Sequence, residues 1–395
     1  MKNKSALGVI FLTTFLDLLG FGLIIPILPA FAEELGASAM EIGLIAAIYA
    51  LMNFSFSPFW GRMSDKHGRR PIIMISVLIT AMAYLIFSQT SSILILVISR
   101  VFSGIGSANI GAAQAYVSDV STPENRAKSM GIIGAAFGLG FVFGPPIGGF
   151  LKADFGIETL GYVAAGLSFM NFVVAYFLLP ESLKEKNKDS KSSNIVISII
   201  QQLKRPNISM LFYINLLFVS AFSMMQVTAV LLWKGHSFLN EKEIGFVFMF
   251  IGLSSALVQG LLVGPIAKKF GEKQMLAIGL TLLAIGLFAM PYFQGKLFIP
   301  WQFIAIGLIA LANGFINPAL LSLLTKMDGS KDLGKVTGLY QSFGSIGRIV
   351  GPAFGGLIYG IHFHLPYVIG PLLLLVGLFL SRKVAVVNTG LAVNE

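Results

Sequence analysis

The 395-residue chain contains no cysteine. Disulfides and thiolate metal sites are therefore excluded. Charge is scarce as well. Asp, Glu, Lys and Arg together make up 12% of the residues, where an ordinary soluble domain has about 25%. Histidine occurs only at positions 67, 236, 362 and 364, in loops or at the ends of apolar runs. Catalysis generally needs clustered titratable groups, so this scatter argues against an enzyme, and no cofactor or metal is expected. What is abundant is apolar: 55% of the chain is hydrophobic. That is more than one water-soluble core can bury, so the solvent for much of the surface must be the lipid bilayer.

Apolar runs of about 20 residues, enough to cross a ~30 Å hydrocarbon layer as helix, recur along the whole chain. They predict an all-α membrane protein with twelve transmembrane helices, spans 1 to 12, at 6–31, 42–62, 71–89, 92–117, 128–151, 159–180, 209–233, 244–267, 274–293, 298–324, 336–360 and 363–381. Met1 to Ser5 is a short basic start, and the run after it is too long for the core of a cleaved leader. An even span count places both termini on one side. That side gathers Lys2, Lys4, Arg62, Lys66, Arg69, Arg70, Arg126, Lys128, Lys268, Lys269, Lys273, Lys326, Arg382 and Lys383, while the other holds Lys152, Lys234, Lys242 and Lys296. The positive-inside rule makes the richer side cytoplasmic, in a plasma membrane of bacterial inner-membrane type. The net charge of +10 then reports topology, and a nucleic-acid partner is not expected.

The polar stretch "ESLKEKNKDSKSSN" and the "IVISIIQQLKRP" after it divide the chain. They predict a bundle over 1–182, a linker with a short amphipathic surface helix over 183–207, and a second bundle with a tail over 208–395. The halves look duplicated. "GIIGAAFGLGFVFGPPIGG" carries Gly131, Gly140, Gly144, Pro145, Gly148 and Gly149, and "GLYQSFGSIGRIVGPAFGG" repeats the spacing 207 positions on with Gly338, Gly347, Gly351, Pro352, Gly355 and Gly356. A second pair, "GRMSDKHGRR" and "GPIAKKFGEK", follows the second span of each half. Both repeats keep their orientation, giving two pseudo-symmetric six-helix bundles.

Small residues at i, i+4 and i+8 allow close helix approach. The glycine stripes of spans 5 and 11 are accordingly expected at the interface between halves, or along a seam that opens and closes. In "GRMSDKHGRR", Gly61 opens the motif, Gly68 permits a tight bend, and Asp65, Arg69 and Arg70 crowd the turn. This turn reads either as membrane anchoring or as a latch in which Asp65 reaches the opposite bundle in one state.

Mid-membrane charges are the informative residues: Asp17, Arg100 and Arg348. An unpaired ion at that depth costs from a few to more than 10 kcal/mol, so pairing or a wet cavity is expected. Asp17 and Arg100 share a half and can form either a permanent salt bridge or a proton site. Arg348 can cap a kink carbonyl or meet substrate. Asn109, Gln114, Asn215, Gln226, Asn313, Asn317 and Gln341, with Phe137, Tyr213 and Met225, are candidates for a cavity that suits a small amphiphilic substrate. A monomer in the bilayer is expected.

Over essentially its full length the chain resembles the major facilitator superfamily, within it the twelve-span drug/proton antiporters. "GRMSDKHGRR" looks like motif A, "SRVFSGIGSANIG" resembles motif B around Arg100, and "GIIGAAFGLGFVFGPPIGG" fits the antiporter motif C at every fixed position. "FLDLLGFGLIIPILP" resembles the first span of tetracycline/proton antiporters, including its acid, here Asp17. The resemblance implies efflux of an amphiphilic small molecule by alternating access, driven by a proton gradient, with Asp17 and Arg100 as the coupling pair. It departs at Ala83 and Leu283, which stand where tetracycline exporters carry further acids. That departure argues against tetracycline as substrate. Rival readings are an uptake symporter or facilitator for a metabolite, which motif C counts against, and a non-transporting membrane receptor.

Overall fold

In the structure, a computed structural model, residues 2–122, 125–183, 202–237, 239–292, 298–328 and 333–384 are described. Most of the expected linker and its amphipathic helix lies outside the described residues. Among the described residues the chain is helical with no strand.

Among the described residues nine helices are long and apolar enough to cross a membrane. Two of these are pairs of spans. Spans 5 and 6 run together through Arg126–Leu178 with a break at Gly156 (φ 83°), and the end of span 8 runs into span 9 within Val263–Ala289 with a break at Gly271 (φ 77°). The helix Leu333–Ile361 supplies the remaining span; its glycines and Arg348 lower its hydropathy. The twelve spans are thus all present.

Three spans depart from simple helices, each for a local reason. Span 1 is Lys2–Ile24 followed by Leu28–Glu34. Pro26 separates them, because a proline ring clashes with the carbonyl four residues back and has no N–H to donate. Span 4 is Ile93–Gly106 and Ile110–Val120, joined by one 3₁₀ turn at Ser107–Asn109 just after Gly104 and Gly106. Span 8 begins as Glu241–Leu257 with a capping box between Asn240 and Glu243, then passes through a π turn at Val258–Leu262. Span 2, Ala39–His67, also starts on a capping box, Ser38 with Glu41. It ends at Gly68 (φ 116°), where only glycine is unstrained, so span 3, Arg69–Ser88, turns back at once. Gly68 and Gly271 occupy the same place in the duplicated motif, so the repeat is conformational as well as sequential. Spans 7, 10 and 12 are Pro206–Ser237, Phe298–Asp328 and Leu365–Lys383.

The buried apolar residues form two cores mainly in the first six spans and one large core mainly in the last six; Val227 and Leu231 of span 7 join one of the former, and Ala30 of span 1 joins the latter. The glycine stripes pack inside these bundles, not between them, which corrects the sequence expectation. A Cβ on Gly140 would lie 2.9 Å from the Leu18 backbone, and one on Gly144 would lie 2.7 Å from Gly22 Cα. Span 5 is therefore pressed on span 1. Likewise Gly347 faces the Leu216 carbonyl and Gly351 the Ser220 backbone, pressing span 11 on span 7.

The bundles meet through the next residues round the same two helices. Gly149 of span 5 abuts Lys242 of span 8, and Gly245 abuts Pro146. Symmetrically, Gly356 of span 11 and Gly43 of span 2 are in backbone contact. All three contacts lie towards the face opposite the termini. Towards the terminal face the same helix sides part. Gly134 and Gly138 share a face of span 5 with Pro145 and Gly149, yet a Cβ on either would meet nothing within 4 Å; the same holds for Gly260, Gly61 and Gly338 on spans 8, 2 and 11. Among the described residues the bundles meet on the face opposite the termini and part on the terminal face.

Candidate functional site

Asp17 sits at mid-length of span 1 with 9% of its surface exposed, in a crevice lined by Thr13, Thr14, Val77 and Asn109. The 3₁₀ turn of span 4 carries Asn109 to it. The Asn109 amide also donates to Ser76 Oγ at 2.8 Å, which fixes its orientation. One carboxylate oxygen of Asp17 has no hydrogen-bond partner.

Arg100, 3% exposed, lies over the Phe87 ring at 5.1 Å and donates through Nε to Ser99 Oγ at 3.4 Å. One of its terminal nitrogens is also unpartnered. No ion pair within 4.0 Å joins Asp17 and Arg100. Instead both lie within electrostatic reach of two tyrosines, Tyr49 of span 2 and Tyr84 of span 3. Tyr49 hydrogen-bonds Ser107 and also reaches Arg348 of the other bundle. Sequence reasoning passed over both tyrosines, because an aromatic in an apolar run reads as packing.

The remaining cavity candidates divide. Asn215 is 3% exposed and donates to the Tyr340 carbonyl at 2.8 Å, and Met225 is 3% exposed within the second bundle's core. Both hold the bundle together. Asn317 donates to Asn313 one turn away at 3.0 Å. Phe137 packs on a core of the first bundle, while Tyr213 is exposed and meets Phe343 edge-on at 5.8 Å. Gln114 and Gln226 are half-buried, and Gln341 is exposed. Ala83 and Leu283 are both fully buried.

On the terminal face Arg69 is a hub. Its guanidinium pairs with Asp65 in its own turn, with Asp119 at the end of span 4 at 3.2 Å, and with Ser64 Oγ at 3.0 Å. Its backbone N–H donates to Glu181 at 2.9 Å. Asp65 thus finds its partner within the first bundle in this conformation. Arg70 donates to the Tyr176 carbonyl at the end of span 6. Asp119 and Glu181 went unnoticed in the sequence, although each is a carboxylate at a span end.

On the opposite face ion pairs cross between bundles. Lys234 of span 7 lies 3.2 Å from Glu34 and 3.7 Å from Glu33, and Lys242 of span 8 lies 2.6 Å from Asp154. Lys152 adds a pair to Glu34 at 2.9 Å within the first bundle.

Two pseudo-symmetric six-helix bundles, sealed at one face and parted at the other around buried charge, define an integral membrane protein of the carrier class. The chain belongs to the Major Facilitator Superfamily, matching its model over residues 10–326 and 227–390. It is 32% identical to multidrug resistance protein 2 of Bacillus subtilis, over 96% of this chain and 95% of that protein. It is 30% identical to the class C tetracycline resistance protein of Escherichia coli, over 91% of each. Among solved structures, that of the human organic anion transporter MFSD10 (TETRAN) superposes with a TM-score of 0.72 at 23% identity, over 96% of this chain and 99% of that one.

Proposed function

We propose that this protein exports an amphiphilic small molecule in exchange for protons, by alternating access between two six-helix bundles. The observation that carries the reading is the buried, partly unsatisfied carboxylate of Asp17 beside Asn109, in a chain parted on one membrane face only. The similarity to multidrug and tetracycline resistance proteins supports export. The excess of Lys and Arg on the terminal face supports placing both termini in the cytoplasm. The conformation seen is then inward-open.

In the cycle, Asp17 takes a proton when the cleft faces outward. A neutral carboxyl tolerates burial far better than an ion, so protonation favours reclosure outside and opening inside. Substrate entering from the cytoplasm, with Arg100 drawn towards Asp17, favours loss of the proton inward. One charge moving down ~100 mV supplies about 2.3 kcal/mol, enough for roughly fiftyfold accumulation if fully coupled. Ala83 and Leu283, buried where further acids would be needed, weigh against tetracycline itself.

Asp17→Asn tests this reading. In inverted vesicles it is expected to abolish substrate accumulation driven by an imposed proton gradient while leaving substrate binding measurable. Gradient-driven accumulation with an unaltered pH profile in that variant would rule out Asp17 as the coupling group.

A further inference from the structure

Span 11 carries a line of residues on the side that meets the other bundle. Gly356 and Pro352 touch span 2 there, and Arg348, one turn further towards the terminal face, continues the same side. Arg348 therefore has its backbone where the bundles part, on the side of span 11 that faces the first bundle, and its guanidinium lies back along span 11 beside Gly344 and Ser345. It is exposed, though it sits near the middle of a membrane helix. Among the described residues its one hydrogen bond is to Ser345 Oγ at 3.4 Å. A guanidinium has five N–H donors, so most of its capacity is uncommitted. Among the described residues no carboxylate lies within 4.0 Å of it.

A structural arginine at this depth would be ion-paired or would cap carbonyls, since an uncompensated charge in the membrane is expensive. Arg348 does neither. Its exposure leaves those donors open to a ligand.

The internal repeat shows what faces it. The position equivalent to Arg348 in span 5 is Phe141, 207 residues earlier. Phe141 packs edge-on against Phe21 at 6.0 Å, and Phe21 stacks on Tyr49 at 5.0 Å. Tyr49 lies close enough to Arg348, across the two bundles, to interact with it electrostatically. Two pseudo-equivalent positions thus give the cleft one cationic wall and one aromatic wall.

We propose that Arg348 receives the anionic group of the substrate, a carboxylate or sulfonate, while its apolar body lies against Phe21, Tyr49 and Phe141. The proposal names the substrate class of the exporter inferred above and rests on that reading. Arg348 grips the head group through paired N–H donors. The aromatic wall accepts bodies of varied shape, so selectivity is set by the charge.

The test uses three fluorescent ligands with one body: dansylglycine, its methyl ester, and a dansyl amide ending in trimethylammonium. Titrated into the purified full-length protein, dansylglycine is expected to bind about tenfold more tightly than either relative, the scale of one charge-assisted hydrogen bond. Arg348→Gln is expected to erase that preference and Arg348→Lys to keep part of it. Equal binding of all three, preference for the cation, binding of none, or an unchanged preference in Arg348→Gln overturns the proposal. A second arm loads inverted vesicles with each ligand under an imposed proton gradient. Gradient-driven accumulation of the cation without the anion would sink the anion site and leave the exporter standing. Arg348-dependent binding of dansylglycine without gradient-driven accumulation would do the reverse.

Discussion

Asp17 and Arg100 show how little a residue's identity says about its partner. Both ions were identifiable from sequence, and membrane energetics required each to be paired or wet. The pairing itself does not form here: Asp17 faces Asn109, and Arg100 lies on Phe87. Whether two ions of one bundle meet depends on helix rotation and depth, which composition does not specify. Glycine is the better-behaved residue. The glycine spacing marks Gly144 as a close-approach position, and it is one, with room for no side chain against Gly22. Gly144→Ala would set its methyl 2.7 Å from Gly22 Cα, and overpacking of this kind costs about 1–3 kcal/mol. A lower melting temperature in detergent is expected for Gly144→Ala, with little change for Gly138→Ala, whose Cβ meets nothing within 4 Å. Equal melting for the two variants would mean that spans 1 and 5 are looser than the structure has them.

At the scale of elements, the duplicated turn after the second span of each half repeats its architecture with the charges exchanged. In the first bundle the residue after the turn glycine is Arg69, which pairs with Asp119 of span 4. In the second it is Glu272, which pairs with Lys326 of span 10 and also accepts from Ser322 at 3.2 Å. The next residue caps the last span of its bundle in both halves. Arg70 donates to the Tyr176 carbonyl, and Lys273 donates to the Arg382 and Val384 carbonyls at 2.9 and 2.7 Å. Orphan carbonyls at a helix end favour a cation of either kind, whereas an ion pair needs only opposite signs, in either order. Glu272→Lys is therefore expected to destabilise the second bundle, and adding Lys326→Glu to restore most of the loss. The partly exposed pair should give a coupling of about 0.5–1 kcal/mol in a thermal-unfolding double-mutant cycle. A coupling of zero would make the contact incidental.

For the whole molecule, the conformation is set by which face is sealed. Backbone contacts of Gly43 with Gly356 and of Gly149 with Lys242 close the face opposite the termini, and Lys234–Glu34 and Lys242–Asp154 span the bundles beside them. These pairs must break for that face to open. The sequence drew attention instead to Asp65 on the terminal face, which here is held by Arg69 of its own turn. Lys234→Gln with Lys242→Gln removes the cross-bundle pairs to Glu34, Glu33 and Asp154, partly exposed contacts worth together about 1–2 kcal/mol. The balance should shift about five- to thirtyfold towards the opposite-face-open state. Because the chain has no cysteine, a single Gly138→Cys in the terminal-face cleft can report it. Its labelling by an impermeant maleimide should slow in the double variant. An unchanged rate would show that the glycine contacts alone hold the seal.

The sequence by itself determined the solvent, the number of spans, the duplication and the few residues able to carry charge through lipid. These follow from local quantities: the length of an apolar run, the spacing of glycines, and the cost of an ion in hydrocarbon. The break of span 1 at Pro26 and the turn at Gly68 were within its reach for the same reason. Only the tertiary structure decided which glycines press helices within a bundle and which join the bundles. It also decided that Asp17 lies beside Asn109 and that Arg348 is exposed where the bundles part. Those outcomes depend on the relative rotation and depth of helices far apart in the chain, which are set by packing among many side chains at once.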